Sequence, residues 1–161
     1  MEGRKKEYSN TQDKVTYCRE AELTIKKKYS EFKREKIATS ADAAKYIKQF
    51  YHDDIEIYES FFVLMLNRRN ETIAYAKIAQ GGVSMVLVDV KIIAKYILDT
   101  MCSSVIVAHN HPSGTLEASK EDIALTRRIK NMCDLIDVRV LDHLILTPSG
   151  EYYSFGDKGK I

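Results

Sequence analysis

Apolar positions recur along this chain in three rhythms. In FFVLML, residues 61–66, every position is apolar. A strand covered on both faces reads this way, because alternate side chains enter two buried layers. SVIVA, residues 104–108, repeats the pattern. TIAYAKIA, residues 72–79, follows FFVLML across the turn NRRNE, so the two form a hairpin. VRVLDHLILT and EYYSF form a second hairpin around Pro148-Ser149-Gly150. A helical rhythm starts at TSADAAKYIKQFY, with Thr39 or Ser40 as N-cap. In VDVKIIAKYILDTM, Val90, Ile93, Ala94, Ile97, Leu98 and Met101 recur at steps of three and four, which predicts one inward stripe. Residues 120–134 predict a further helix, with Ile123, Ile129, Met132 and Cys133 inward and Arg127, Arg128 and Lys130 outward. AELTIKKKY alternates like an edge strand with its lysines outward, and QGGVSM is a loop. Residues 1–20 are charged and aperiodic, an arm preceding a single domain over 21–161. Together these elements predict an α/β fold, a mixed β-sheet flanked by helices.

Composition adds little to this picture. The chain has 161 residues, 45% of them hydrophobic and 30% charged, which suits one domain with an ordinary core. A net charge of +2 selects no partner. The start MEGRKKEYSN is polar, no apolar signal region follows, and no apolar run reaches the ~18 residues of a membrane span, so the expected home is the cytoplasm. Cys18, Cys102 and Cys133 are an odd, scattered set, as in a reducing compartment, and Cys102 and Cys133 read as small apolar fillers. The basic stretch from Lys26 to Lys36 lacks interleaved aromatics and reads as solvated strand and linker rather than a nucleic-acid surface.

The chemistry concentrates in AHNHPSGTLEASKED, residues 108–122. His109 and His111 leave a buried strand two positions apart, so in extended backbone they point the same way, with Cα atoms ~6.6 Å apart. Pro112 keeps His111 extended, and Gly114 lets the chain turn back. A helix then begins, with Asp122 in its first turn, where it can approach the same point. Two imidazoles and one carboxylate make three ligands; zinc prefers four, which leaves a place for water, as in a catalytic site. Ser119 and Asp122 also fit a capping box, and the two roles are compatible. Asn110 points away from both histidines and fixes the loop. His143 reads as a core histidine, or one supporting the ligands, rather than a fourth ligand. His52, at a helix end, reads as solvated. The residues alone leave the proton-handling carboxylate open among Glu56, Glu59 and Glu71. Glu59 is favoured because the apolar run that follows at once would partly desolvate it.

HNHPSGTLEASKED resembles the JAMM motif of the JAB1/MPN metalloproteases, H-x-H-x7-S-x2-D. ESFFVLMLNRRN, GGVS, AHNHPSG and LDHLILT, in that order, resemble the bacterial RadC-type branch over roughly residues 20 to 161. The resemblance implies a cytidine-deaminase-like sandwich and a hydrolytic site holding one zinc ion (Zn2+) on His109, His111 and Asp122. It also implies Ser119 as the hydroxyl that supports an oxyanion and Glu59 as the catalytic glutamate. The implied reaction is amide hydrolysis of a protein or peptide by metal-activated water, with no covalent intermediate. Longer RadC-type proteins carry a helix-hairpin-helix segment near the N-terminus; about forty residues precede the first helix here, without room for it. Two alternatives remain beside the peptidase: a metal-binding interaction module that does not cleave, and a DNA-repair-associated factor. The complete set of site residues speaks against the first. Weak, sequence-independent DNA binding is expected instead of the second. Oligomeric state is not legible.

Overall fold

The computed structural model describes residues 30–81 and 87–161. The expected arm at 1–20, the AELTIKKKY strand and most of the QGGVSM loop lie outside the described residues. Five strands form one sheet: β1 (Ser60–Leu66), β2 (Thr72–Gln80), β3 (Ser104–Asn110), β4 (Arg139–Leu146) and β5 (Tyr152–Ser154), in the order β2-β1-β3-β4-β5. The β3/β4 pair is parallel and the other three pairs are antiparallel, so the sheet is mixed. Three helices accompany it, α1 (Ser40–Lys48), α2 (Val90–Thr100) and α3 (Lys120–Leu135), with one 3₁₀ turn at Asp53–Glu56. The fold is α/β.

The all-apolar strands are buried on both faces, as their composition requires. Phe62, Leu64 and Leu66 of β1 pack with Ile106, Ala108, Leu144 and Leu146 against Ala43, Tyr46 and Ile47 of α1. Phe61, Val63 and Met65 enter the opposite layer with Val105, Val107, Ile93, Ile97, Ile129 and Cys133, beneath α2 and α3. Period-two alternation therefore decides which layer each residue of β3 joins. His109 follows Val105 and Val107 toward α2 and α3, whereas Asn110 follows Ile106 and Ala108 to the α1 side. Cys102 and Cys133 are buried free thiols, in keeping with a filler role, and burial pushes the Cys133 thiol up to about 12.

Capping sets the helix starts. Thr39 caps α1 in a reciprocal box with Asp42, and the Thr39 hydroxyl holds the Asp42 carboxyl below its ordinary range. The inward stripe of α2 is narrower than its periodicity predicts. Ile93 and Ile97 are buried, but Leu98 is 48% and Met101 71% exposed. The helix ends at Thr100, and Met101 takes a left-handed conformation (φ 51) that turns the chain into β3 and carries its side chain off the stripe. In α3 the stripe runs through Thr126, Ile129 and Cys133, and Ile123 is 37% exposed rather than inward. Met132 is partly buried against the core, and Arg127 and Arg128 face out. Among the described residues no helix is long and apolar enough to cross a membrane.

Candidate metal centre

The site lies where β3 ends and α3 begins. A hydrogen bond from His111 N to Leu146 O, 2.9 Å long, holds the chain beside β4 for one residue past β3. His111 thus keeps the extended backbone that Pro112 favours. Gly114, at φ +80, supplies the reversal that brings α3 back across the strand end. Ser119 caps α3: its hydroxyl accepts from Asp122 N at 3.0 Å, while Asp122 Oδ2 accepts from Ser119 N at 2.8 Å and from Ser119 Oγ at 2.6 Å. The carboxylate that completes the box also faces the histidines, so capping and ligand geometry coexist in one residue.

His109 Nε2 lies 3.0 Å from His111 Nε2 and 3.2 Å from Asp122 Oδ1; His111 Nε2 lies 3.7 Å from Asp122 Oδ2. A tetrahedral zinc with ligands at about 2.0–2.2 Å keeps neighbouring ligand atoms roughly 3.3–3.6 Å apart. With one ligand atom taken from each residue, the three donors lie within 4.8 Å of one another, so these side chains converge on one point that a small cation could occupy. They are the group of histidine, cysteine and acidic residues so assembled among the described residues. The chemistry of the donors agrees. His111 Nδ1 is 2.8 Å from the carbonyl of Thr115, which can only accept, so Nδ1 carries the hydrogen and the Nε2 lone pair faces the centre.

Electrostatics follow from this crowding. The Asp122 carboxylate beside it raises the His111 pKa above its ordinary value, against the effect of burial. For Asp122, burial pushes upward, but its contacts with His109 and His111 outweigh burial and hold the carboxyl far below the usual carboxylate range. A positive charge at the centre is favoured, whether proton or metal.

His143 is buried behind His109, with its Nε2 2.9 Å from His109 Nδ1 and its Nδ1 2.6 Å from Thr126 Oγ1. Its ring stacks on Phe155 at 4.8 Å between centroids. Burial, reinforced by His109, pushes its pKa well below the ordinary histidine range. It lies behind the candidate ligand His109 and outside the convergent group, the place of a supporting histidine. His52 is exposed, as expected.

The three candidate ligands open onto a cleft of about 680 Å³ that Glu59, Phe61, Ser119 and Arg128 also line. Glu59 is partly buried; Glu56 is exposed, and Glu71 is engaged with Asn67 Nδ2 at 2.7 Å in the β1–β2 turn. Of the three glutamates weighed from sequence, only Glu59 lines the cleft. Its position depends on Asn110, which fixes that segment rather than its own loop. Asn110 Oδ1 accepts from Ser60 N at 2.8 Å, and Nδ2 donates to Ile55 O at 2.7 Å and Tyr58 O at 2.8 Å. Glu117, ahead of α3, and Glu121, Leu125 and Thr126, on it, complete the surroundings, and none carries a sequence signal of its own; Thr126 is found only by its contact with His143.

Similarity to known proteins agrees with this geometry. A model of the RadC-like JAB domain matches residues 37–160. Relatives include UPF0758 proteins from Flavobacterium johnsoniae, 42% identical over 102 residues (63% of this chain, 44% of the relative), and from Porphyromonas gingivalis, 39% identical over 127 residues (79% and 55%). One from Neisseria meningitidis serogroup C is 41% identical over 97 residues (60% and 43%). The chain spans about half the length of these relatives. With the matched region containing the mixed sheet and the convergent His109, His111 and Asp122, this chain belongs to the RadC-like JAB domain family.

Proposed function

We propose that this chain is a zinc-dependent hydrolase that cleaves a peptide or isopeptide amide bond. The observation that carries the reading is the convergence of His109, His111 and Asp122 at the floor of a cleft that Glu59 also lines. Those three residues would hold the ion. Zinc supplies a Lewis acid that polarises a carbonyl and makes water acidic enough, near pH ~7, to serve as a nucleophile. Glu59 takes the proton from the attacking water and delivers it to the leaving nitrogen, the usual division of labour for a positioned carboxylate. Ser119 donates its hydroxyl to the developing oxyanion, for which that hydroxyl must turn from Asp122 Oδ2, its partner at 2.6 Å. The substrate in this reading is a protein or peptide, and duplex DNA is not.

Glu59→Gln is the direct test, because the amide is nearly isosteric but cannot carry the proton. The expected outcome is one zinc per chain by mass spectrometry, retained in the variant. Hydrolysis of an amide-linked peptide library should fall at least ~10²-fold. Equal turnover in the variant would remove Glu59 from the mechanism, and a zinc-free native protein would remove the reading.

A further inference from the structure

We propose that Thr126 and His143 are positioning residues that fix His109 in its Nδ1–H tautomer, so that the Nε2 lone pair is aimed at the metal point before an ion arrives. The tautomer is set wholly within the protein; only its consequence for zinc affinity rests on the metal reading above.

The hydrogen-bond chain has one end that admits a single polarity. The backbone carbonyl of Asp122 accepts and has no proton to give, so Thr126 Oγ1, 2.6 Å away, donates to it. A hydroxyl has one proton. Toward His143 Nδ1, also at 2.6 Å, Thr126 Oγ1 can therefore only accept, and His143 Nδ1 carries the hydrogen. A neutral imidazole has one N–H, and full burial favours the neutral ring. His143 Nε2 is then an acceptor. Its partner at 2.9 Å is His109 Nδ1, which must donate, and His109 Nε2 is left bare. That nitrogen is the one 3.2 Å from Asp122 Oδ1.

Helix geometry makes the arrangement self-consistent. Asp122 and Thr126 are one turn apart on α3, so they share a face. The Asp122 carboxylate meets His109 directly, while the Asp122 carbonyl reaches His109 from the other side through Thr126 and His143. One residue thus supplies a ligand and anchors the chain that orients its neighbour. Every link in that chain is uncharged, so the relay orients His109 without adding charge to the site. Ring orientation is fixed as well, since Phe61 stacks against His109 at 6.1 Å and Phe155 against His143 at 4.8 Å.

The test is nitrogen-15 NMR of the histidine rings in the metal-free protein, at a pH well above the ordinary histidine range, beside zinc affinity by chelator competition. In the native protein His143 is expected in the Nδ1–H form, the opposite of the form that free histidine side chains prefer in water. Thr126→Val keeps the shape and removes the hydroxyl; it should shift His143 toward Nε2–H and weaken zinc binding by about 10–100-fold. Thr126→Ser should restore both. An Nε2–H His143 in the native protein would overturn the proposal without any variant. So would zinc affinity unchanged in a folded Thr126→Val protein. If the native protein showed Nδ1–H but bound no zinc, the tautomer assignment would stand and the metal reading would fall.

Discussion

His109 and Asn110 are neighbours on β3, both are buried, and their polar atoms are matched in opposite ways. Asn110, on the α1 side, has both donor hydrogens and its acceptor committed to backbone groups of residues 55–60. It needs nothing further. His109, on the α3 side, directs Nε2 at another imidazole nitrogen and a carboxylate oxygen, which in the tautomer proposed above is a set of lone pairs with no donor among them. The difference separates a buried polar residue that serves the fold from one fitted to hold an ion: the first is satisfied by the chain, and the second carries a lone pair that a cation would satisfy.

The comparison can be broken at several points, the first with the largest effect. If the histidine set is a cation site, zinc at ~1,000 times its Kd should stabilise the protein by about 4 kcal/mol. The double variant His109→Ala, His111→Ala should lose that increment together with the metal; parallel denaturant curves with zinc and with chelator measure it. Asn110→Ala should cost about 2–4 kcal/mol by orphaning buried backbone groups, equally in zinc and in chelator. A cost that appeared only with zinc would place Asn110 with the ligands and erase the distinction.

Ser119→Ala tests the boundary between the two roles. Loss of the cap alone should lower stability by about 1 kcal/mol, and urea unfolding of the metal-free protein reads this directly. The smallest effect concerns pH. In the metal-free protein, the raised His111 pKa contributes stability that is complete below its ordinary value of 6.5 and fades as pH rises through the raised value. The lowered Asp122 pKa contributes stability present above 3.8 and lost as pH falls through its lowered value. The pair therefore stabilises most between these limits. Protons and zinc compete for the same lone pairs, so the zinc increment should grow as pH rises through the His111 pKa. Tm with and without chelator at about pH 5.5 and about pH 8 checks both signs; an increment larger at the lower pH would contradict the site.

Local chemistry explains what was legible beforehand. Apolar runs at 61–66 and 105–108 mark strands because no other common element buries every side chain in so few residues. The H-x-H pair at a strand end is legible because period two alone puts both rings on one side. The outer turns of the helices are less so. Leu98, Met101 and Ile123 fit a helical stripe by spacing, yet how wide a stripe is covered depends on the neighbouring strands and on where the helix stops. Glu59 was one of three glutamates until the fold placed it at the cleft.

The sequence by itself determined the strands, the capped helices, the paired histidines and the carboxylate three residues beyond its cap, since each follows from backbone periodicity or from groups a few positions apart. Only the tertiary structure decided that α3 returns to set Asp122 beside His109, that Asn110 holds the segment bearing Glu59, and that Thr126 and His143 back His109. Those contacts join residues far apart in the chain. Local preferences are blind to them, because they form only when strands and helices are packed into layers, and the direction of each hydrogen bond is then set by which neighbour has no proton to give.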